Sequence, residues 1–219
     1  MTDDKKGGIA LIAASVGGIL TMALHPTARD LVGPDRFASM TLLLIGVHAL
    51  AVVSLPFLFL GALALSLRLA SPDRLALAAL VVYGFALAAV LVAAVIDGFV
   101  VPNIVREMIA TAPPGTEEWR IALSYNGFLN QSFARVFLVA SSTSIVLWSV
   151  SILTHRTLAS TVAVYGLFVG PAVIIAVLSG IRLEPHGAGL LILGQSIWFV
   201  SVGTLLWRFK PVTNGGAIV

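Results

Sequence analysis

Residues Ser39 to Arg68 read SMTLLLIGVHALAVVSLPFLFLGALALSLR. The reading of this stretch decides the fold. No charge interrupts it from Ser39 until Arg68, and twenty residues separate His48 from Arg68. Twenty residues of helix rise about 30 Å, the thickness of a bilayer's hydrocarbon core. With Arg68 at one interface, His48 falls close to the other. Pro56 lies inside the span, where its missing N–H and its ring predict a kink. Lipid cannot satisfy the freed carbonyl, so that face is expected to turn toward other helices. A histidine near a bent helix in a bundle is the first hint of a site.

The rest of the chain agrees with a membrane setting. Of 219 residues, 58% are hydrophobic and 11% charged, with a mean hydropathy of +1.03. Soluble domains carry about 25% charged residues. The expected fold is therefore all-α: a polytopic integral membrane protein, one domain over 1–219, built as a six-transmembrane-helix bundle. The formal charge of +3 fits basic residues at span ends and gives no argument for nucleic acid as a partner. No cysteine is present, which excludes disulfides, thiol catalysis and Cys-ligated metal sites.

Spans are expected near 7–24, 39–68, 75–101, 121–153, 158–181 and 187–207. Pro102 is expected to close the third, and Gly170-Pro171 to interrupt the fifth. The first span is read as a helix and not a signal peptide, since no small-residue cleavage pattern follows Leu24. Polar turns fall at His25–Arg36, Ser71-Pro72-Asp73-Arg74, Arg106–Arg120, His155-Arg156 and Arg182–Gly187. Lys5, Lys6, Arg68, Arg74, Arg156, Arg208 and Lys210 end on one side; Arg29, Arg36, Arg106, Arg120 and Arg182 end on the other. This bias of seven against five places both termini in the cytoplasm of a bacterial plasma (inner) membrane. Paired prolines at Pro56 and Pro171 weakly echo the broken helices of inverted-repeat transporters.

Polar groups converge in depth. Counting along each helix, Lys6 to His25 is 19 residues, His48 to Arg68 is 20, Arg74 to Asp97 is 23, Arg135 to Arg156 is 21, and His186 to Arg208 is 22. At 1.5 Å per residue all are about 28–35 Å. Five helices thus carry a titratable or cationic group to one plane, with Asn126, Asn130 and Gln131 one or two turns further out. Asp97 and Arg135 cost most to bury, and their plainest reading is an ion pair between the third and fourth spans. His25 and His186 sit at helix ends, where interfacial histidines are ordinary. His48 lies in an apolar run and needs partners for both ring nitrogens. The serines of the fourth span, Ser142 and Ser149 among them, read as close helix packing.

The sequence supports a pocket opening outward, lined by His48, Asp97, Asn130 and Arg135, with Asn126 and Gln131 beside them and His25 and His186 at its rim. Such a protein binds, or helps to transport, a small molecule or ion. The alternative is a redox protein or metal-dependent enzyme. It would hold haem b between His25 and His48 or between His48 and His186, or a divalent metal on the same histidines with Asp97. No HExxH or GxSxG pattern occurs. Besides the lipid bilayer, a second copy is a conceivable partner through Gly166-x-x-x-Gly170, although internal packing explains that spacing as well.

Overall fold

The computed structural model describes residues 3–26, 37–70, 74–111, 116–181, 183 and 185–208. It is all-helical, with six helices long and apolar enough to cross a membrane. In order these are α1 (Asp3–Leu24), α2 (Phe37–Leu69), α3 (Leu75–Val95), a π-helical turn (Ile96–Val100) leading into α4 (Val101–Thr111), α5 (Glu117–His155), α6 (Ser160–Leu178) and α7 (Pro185–Arg208). α3, the π turn and α4 together make the third span. The turns expected over 27–36, at Ser71-Pro72-Asp73 and at Pro113-Pro114-Gly115 lie outside the described residues. So do Arg182, Glu184 and everything after Arg208.

The helices are apolar nearly all round, so tertiary packing and not an amphipathic stripe decides which face turns inward. Small residues set the closest approaches. α1 packs on both α2 and α7. At Gly8 the α7 backbone at Gly203 is so near that a Cβ would stand 2.5 Å from its carbonyl oxygen. α3 packs on α5, and α5 on α6, with α2 bridging to α3. Gly166 and Gly170 are buried against α5, where Ser149, Val146 and the Ser142 backbone occupy that face. This is close packing, as the serine and glycine spacing suggests.

Aromatic residues fill the centre. Trp148 stacks on Trp198 at a centroid distance of 5.9 Å, and Tyr83 and Phe199 close on them at 5.1–5.3 Å. Each indole N–H has a partner: Trp148 donates to Ser66 Oγ at 2.9 Å and Trp198 to the Val162 carbonyl at 3.1 Å. Gln195 of α7 ties α5 across the bundle. Its amide donates to Ser142 Oγ at 2.7 Å and accepts from Ser141 Oγ at 3.1 Å.

Four expectations are corrected. α6 runs through Gly170-Pro171 without the expected interruption, as α2 continues through Pro56. Pro56 is exposed on the bundle's outer face, because a pyrrolidine ring is apolar and lipid is an acceptable neighbour for it. Pro102 does not end the third span. The helix widens to a π turn just before it, relieving the clash between the proline ring and the preceding turn, and continues to Thr111. α5 is longer than expected, 39 residues or about 58 Å, and so extends well past a 30 Å core.

Candidate functional site

Three chain segments meet at the end of the bundle where α1 stops. His25 directly follows α1, His48 is in the third turn of the Met40–Leu69 span in α2, and Asp97 lies in the π turn. Asp97 Oδ2 stands 3.2 Å from His25 Nε2 and 3.4 Å from His48 Nε2. The imidazole centroids are 4.9 Å apart and edge-on. His48 is 5% exposed, and His25 and Asp97 are partly buried. One ligand atom from each residue lies within 4.8 Å of the other two.

The other ring nitrogens define the tautomers. His48 Nδ1 is 2.8 Å from the Leu44 carbonyl oxygen, and His25 Nδ1 is 2.9 Å from that of Pro26. A carbonyl oxygen only accepts, so both rings donate through Nδ1–H. In the neutral rings Nε2 then carries a lone pair, and both lone pairs face the same carboxylate oxygen. Nothing is shared between three acceptors unless a cation or additional protons stand among them. This is also how histidines that ligate metals are held, with the distal N–H anchored on a backbone carbonyl.

Local structure explains the aim of each group. Leu44 is one turn before His48, so α2's own backbone supplies the anchor. Thr21, one turn before His25, donates to the Val47 carbonyl at 3.2 Å and fixes α1 against α2 beside both histidines. The π turn carries Asp97, as π-bulges commonly carry functional groups. Gly98 is buried against the His48 ring: a Cβ there would overlap the His48 Cβ and stand 2.5 Å from Cγ. Only glycine lets the turn come this close.

The remaining sequence candidates separate. Asp97 pairs with the two histidines and not with Arg135, which is exposed on α5 and forms no ion pair among the described residues. The expected Asp97–Arg135 pair is therefore corrected: the imidazoles, closer in space, take the carboxylate. Gln131 clamps the start of α7, exchanging hydrogen bonds with Leu183 at 2.8 and 3.2 Å. Asn126 donates to its own helix at Ala122, 2.8 Å away, and Asn130 is half-buried without a hydrogen bond among the described residues. The backbone of His186 is in the first turn of α7; its side chain lies outside the described residues. For haem between His25 and His48 the rings must face each other across a macrocycle. Here both Nε2 atoms close on one oxygen, which leaves no slot between them.

Thr21, Gly98 and the Leu44 carbonyl were not candidates in the sequence. The i−4 spacing of Thr21 to His25 and of Leu44 to His48 was the available signal. Comparison with known proteins adds nothing to the geometry: no family model, no curated protein and no solved structure matches the chain.

Proposed function

We propose that this membrane protein binds a divalent transition-metal ion, with Zn²⁺ as the reference case, through His25 Nε2, His48 Nε2 and an Asp97 carboxylate oxygen. The observation that carries the reading is the pair of Nε2–Oδ2 separations, 3.2 and 3.4 Å, with both Nδ1 atoms committed to carbonyls. Zinc bonds to nitrogen and oxygen are about 2.0–2.2 Å, which puts neighbouring ligands of a tetrahedron about 3.3–3.5 Å apart. Two histidines and a carboxylate are the ligand set of metal sites that keep a coordination position open for water or a substrate. The protein is thus an ion-binding membrane protein whose site reaches a ligand, in a bacterial inner membrane with both termini cytoplasmic and the metal near the outer boundary.

The test is metal content and affinity. Chelator-stripped protein in detergent is titrated with Zn²⁺ against a competing chromophoric chelator, and bound metal is counted by mass spectrometry. Wild type takes up one equivalent. Asp97→Asn and His48→Gln lose at least tenfold in affinity while keeping their helical circular dichroism. Wild type without a stoichiometric site, or variants that match it, would refute the reading.

A further inference from the structure

Within one helical turn of His25 and His48 the bundle holds a half-open cavity of about 110 Å³. Its upper wall is Thr21, Met22 and Ala51, each within one turn of His25 or His48. Its floor is Tyr83 and Phe199, two members of the aromatic cluster. Ala14, Gly18, Leu55, Val90 and Ile192 make the walls largely apolar.

Three hydroxyl groups stand out against these walls. Ser15, Tyr83 and Ser196 come from α1, α3 and α7, line this one cavity, and are 3%, 1% and 6% exposed. Ser15 Oγ is buried with no hydrogen-bond partner, and the hydroxyls of Tyr83 and Ser196 form no hydrogen bond among the described residues. The other polar side chains on the cavity behave differently: Thr21, Ser54 and Gln195 are all bonded to the protein. A buried hydroxyl without a partner costs free energy, and native proteins keep one where something else satisfies it. Three from three helices around one space are more than packing requires. Alanine or phenylalanine in their places would close the same contacts.

We infer that this cavity is a binding chamber for a small, compact hydrocarbon bearing an oxygen function, of the alcohol, phenol or ketone class, whose oxygen meets the hydroxyls of Ser15, Tyr83 and Ser196. The cavity is smaller than the engineered apolar cavity of about 150 Å³ that holds benzene, and its open side leaves room for the rest of such a molecule. Apolar walls bind the hydrocarbon by burial, and the hydroxyls choose the oxygenated molecule over its plain counterpart. The chamber stands on its own geometry and needs no metal. Its position one turn below the His–Asp group makes it the place from which such a molecule would approach an ion bound there.

The probes are 4-fluorophenol and fluorobenzene, followed by ¹⁹F NMR with purified protein in detergent, both chelator-stripped and Zn²⁺-loaded. Variants subtract partition into the micelle. Ser15→Ala, Ser196→Ala and Tyr83→Phe remove hydroxyls without a protein partner, so each folds at wild-type stability or above. Ala14→Leu narrows the chamber from its wall. Wild type binds 4-fluorophenol saturably and at least fivefold more tightly than fluorobenzene. Tyr83→Phe combined with Ser196→Ala erases that preference, and Ala14→Leu weakens both probes. The result holds in stripped protein, so a chamber that binds without metal uptake separates this inference from the metal reading. Equal binding of the two probes, a preference that survives loss of the hydroxyls, or no saturable binding by wild type would overturn it. If Ala14→Leu does not fold, the hydroxyl variants decide alone.

Discussion

Replacing Gly98 with alanine tests whether the close approach of the π turn sets the metal site. A Cβ at Gly98 would overlap the His48 Cβ and stand 2.5 Å from Cγ and 3.1 Å from Nδ1. Ordinary contact begins at 3.4 Å, so the ring or the turn must retreat by roughly 1 Å. Metal–ligand distances tolerate only about ±0.2 Å. The retreat also strains the Nδ1–Leu44 bond, now 2.8 Å. Loss of such positioning contacts typically lowers metal affinity about 10- to 100-fold, or roughly 1.4–2.7 kcal/mol. Overpacking should also take about 1–3 kcal/mol from the stability of the stripped protein. Gly84→Ala is the matched control in the same span, since a Cβ there meets nothing within 4 Å. Both variants are titrated with Zn²⁺ by chelator competition, beside melting curves of stripped and loaded protein. Gly98→Ala with wild-type affinity, or an equal loss in Gly84→Ala, would refute the reasoning.

Further outcomes follow from the same geometry. Thr21→Val keeps the shape but removes the bond to the Val47 carbonyl; stability should fall by about 1 kcal/mol and Zn²⁺ affinity by a few-fold, read in the same titration. Asp97→Asn and Arg135→Gln should be energetically independent, their combined change in stability matching the sum of the singles within about 0.5 kcal/mol; a larger coupling in thermal melts would restore the ion pair between them. Cysteines introduced at Thr2 and Thr116 should be labelled on intact cells by an impermeant reagent at Thr116 only; labelling at Thr2 alone reverses the proposed orientation.

How far the site was legible depended on the physical quantity each step used. Depth was legible. Counting residues from the basic end of each helix puts His25, His48 and Asp97 in one plane, and helical rise is nearly invariant. Facing was not. The same arithmetic put Arg135 at that depth, yet Arg135 is exposed on α5. Apolar residues all round α2, α3 and α6 leave no periodic stripe from which to read an inward face. The π turn shifts the facing of everything beyond it by an added residue, and Pro102 was its only mark in the sequence. The cavity was hidden for a related reason. Ser15, Tyr83 and Ser196 are far apart in sequence, and a buried hydroxyl looks like any packing serine or core tyrosine until its missing partner is known.

The arrangement of helices gives the His–Asp group a consequence beyond binding. α1 packs on α2 and α7, while α3 packs on α5 and α2. The contact of His25 with Asp97, 3.2 Å across, joins the end of α1 to the end of the α3 segment over the top of the central cavity. An ion there would hold three segments together at one point, and its binding free energy would be added to that contact. The aromatic cluster already fixes α3, α5 and α7 at the cavity floor. Among the described residues the roof carries no aromatic cluster of this kind: it is held by the edge-on contact of the two imidazoles, the close approach of Gly98 and the hydrogen bonds of Thr21 and the two imidazoles. Metal loading should therefore act on the roof selectively. Hydrogen exchange of stripped and Zn²⁺-loaded protein should show protection gained around Thr21–His25, Leu44–His48 and Ile96–Val100, with little change around Trp148 and Trp198. Protection spread evenly over the bundle would mean that the ion stabilises the fold as a whole, and that the end of the cavity is not its point of action.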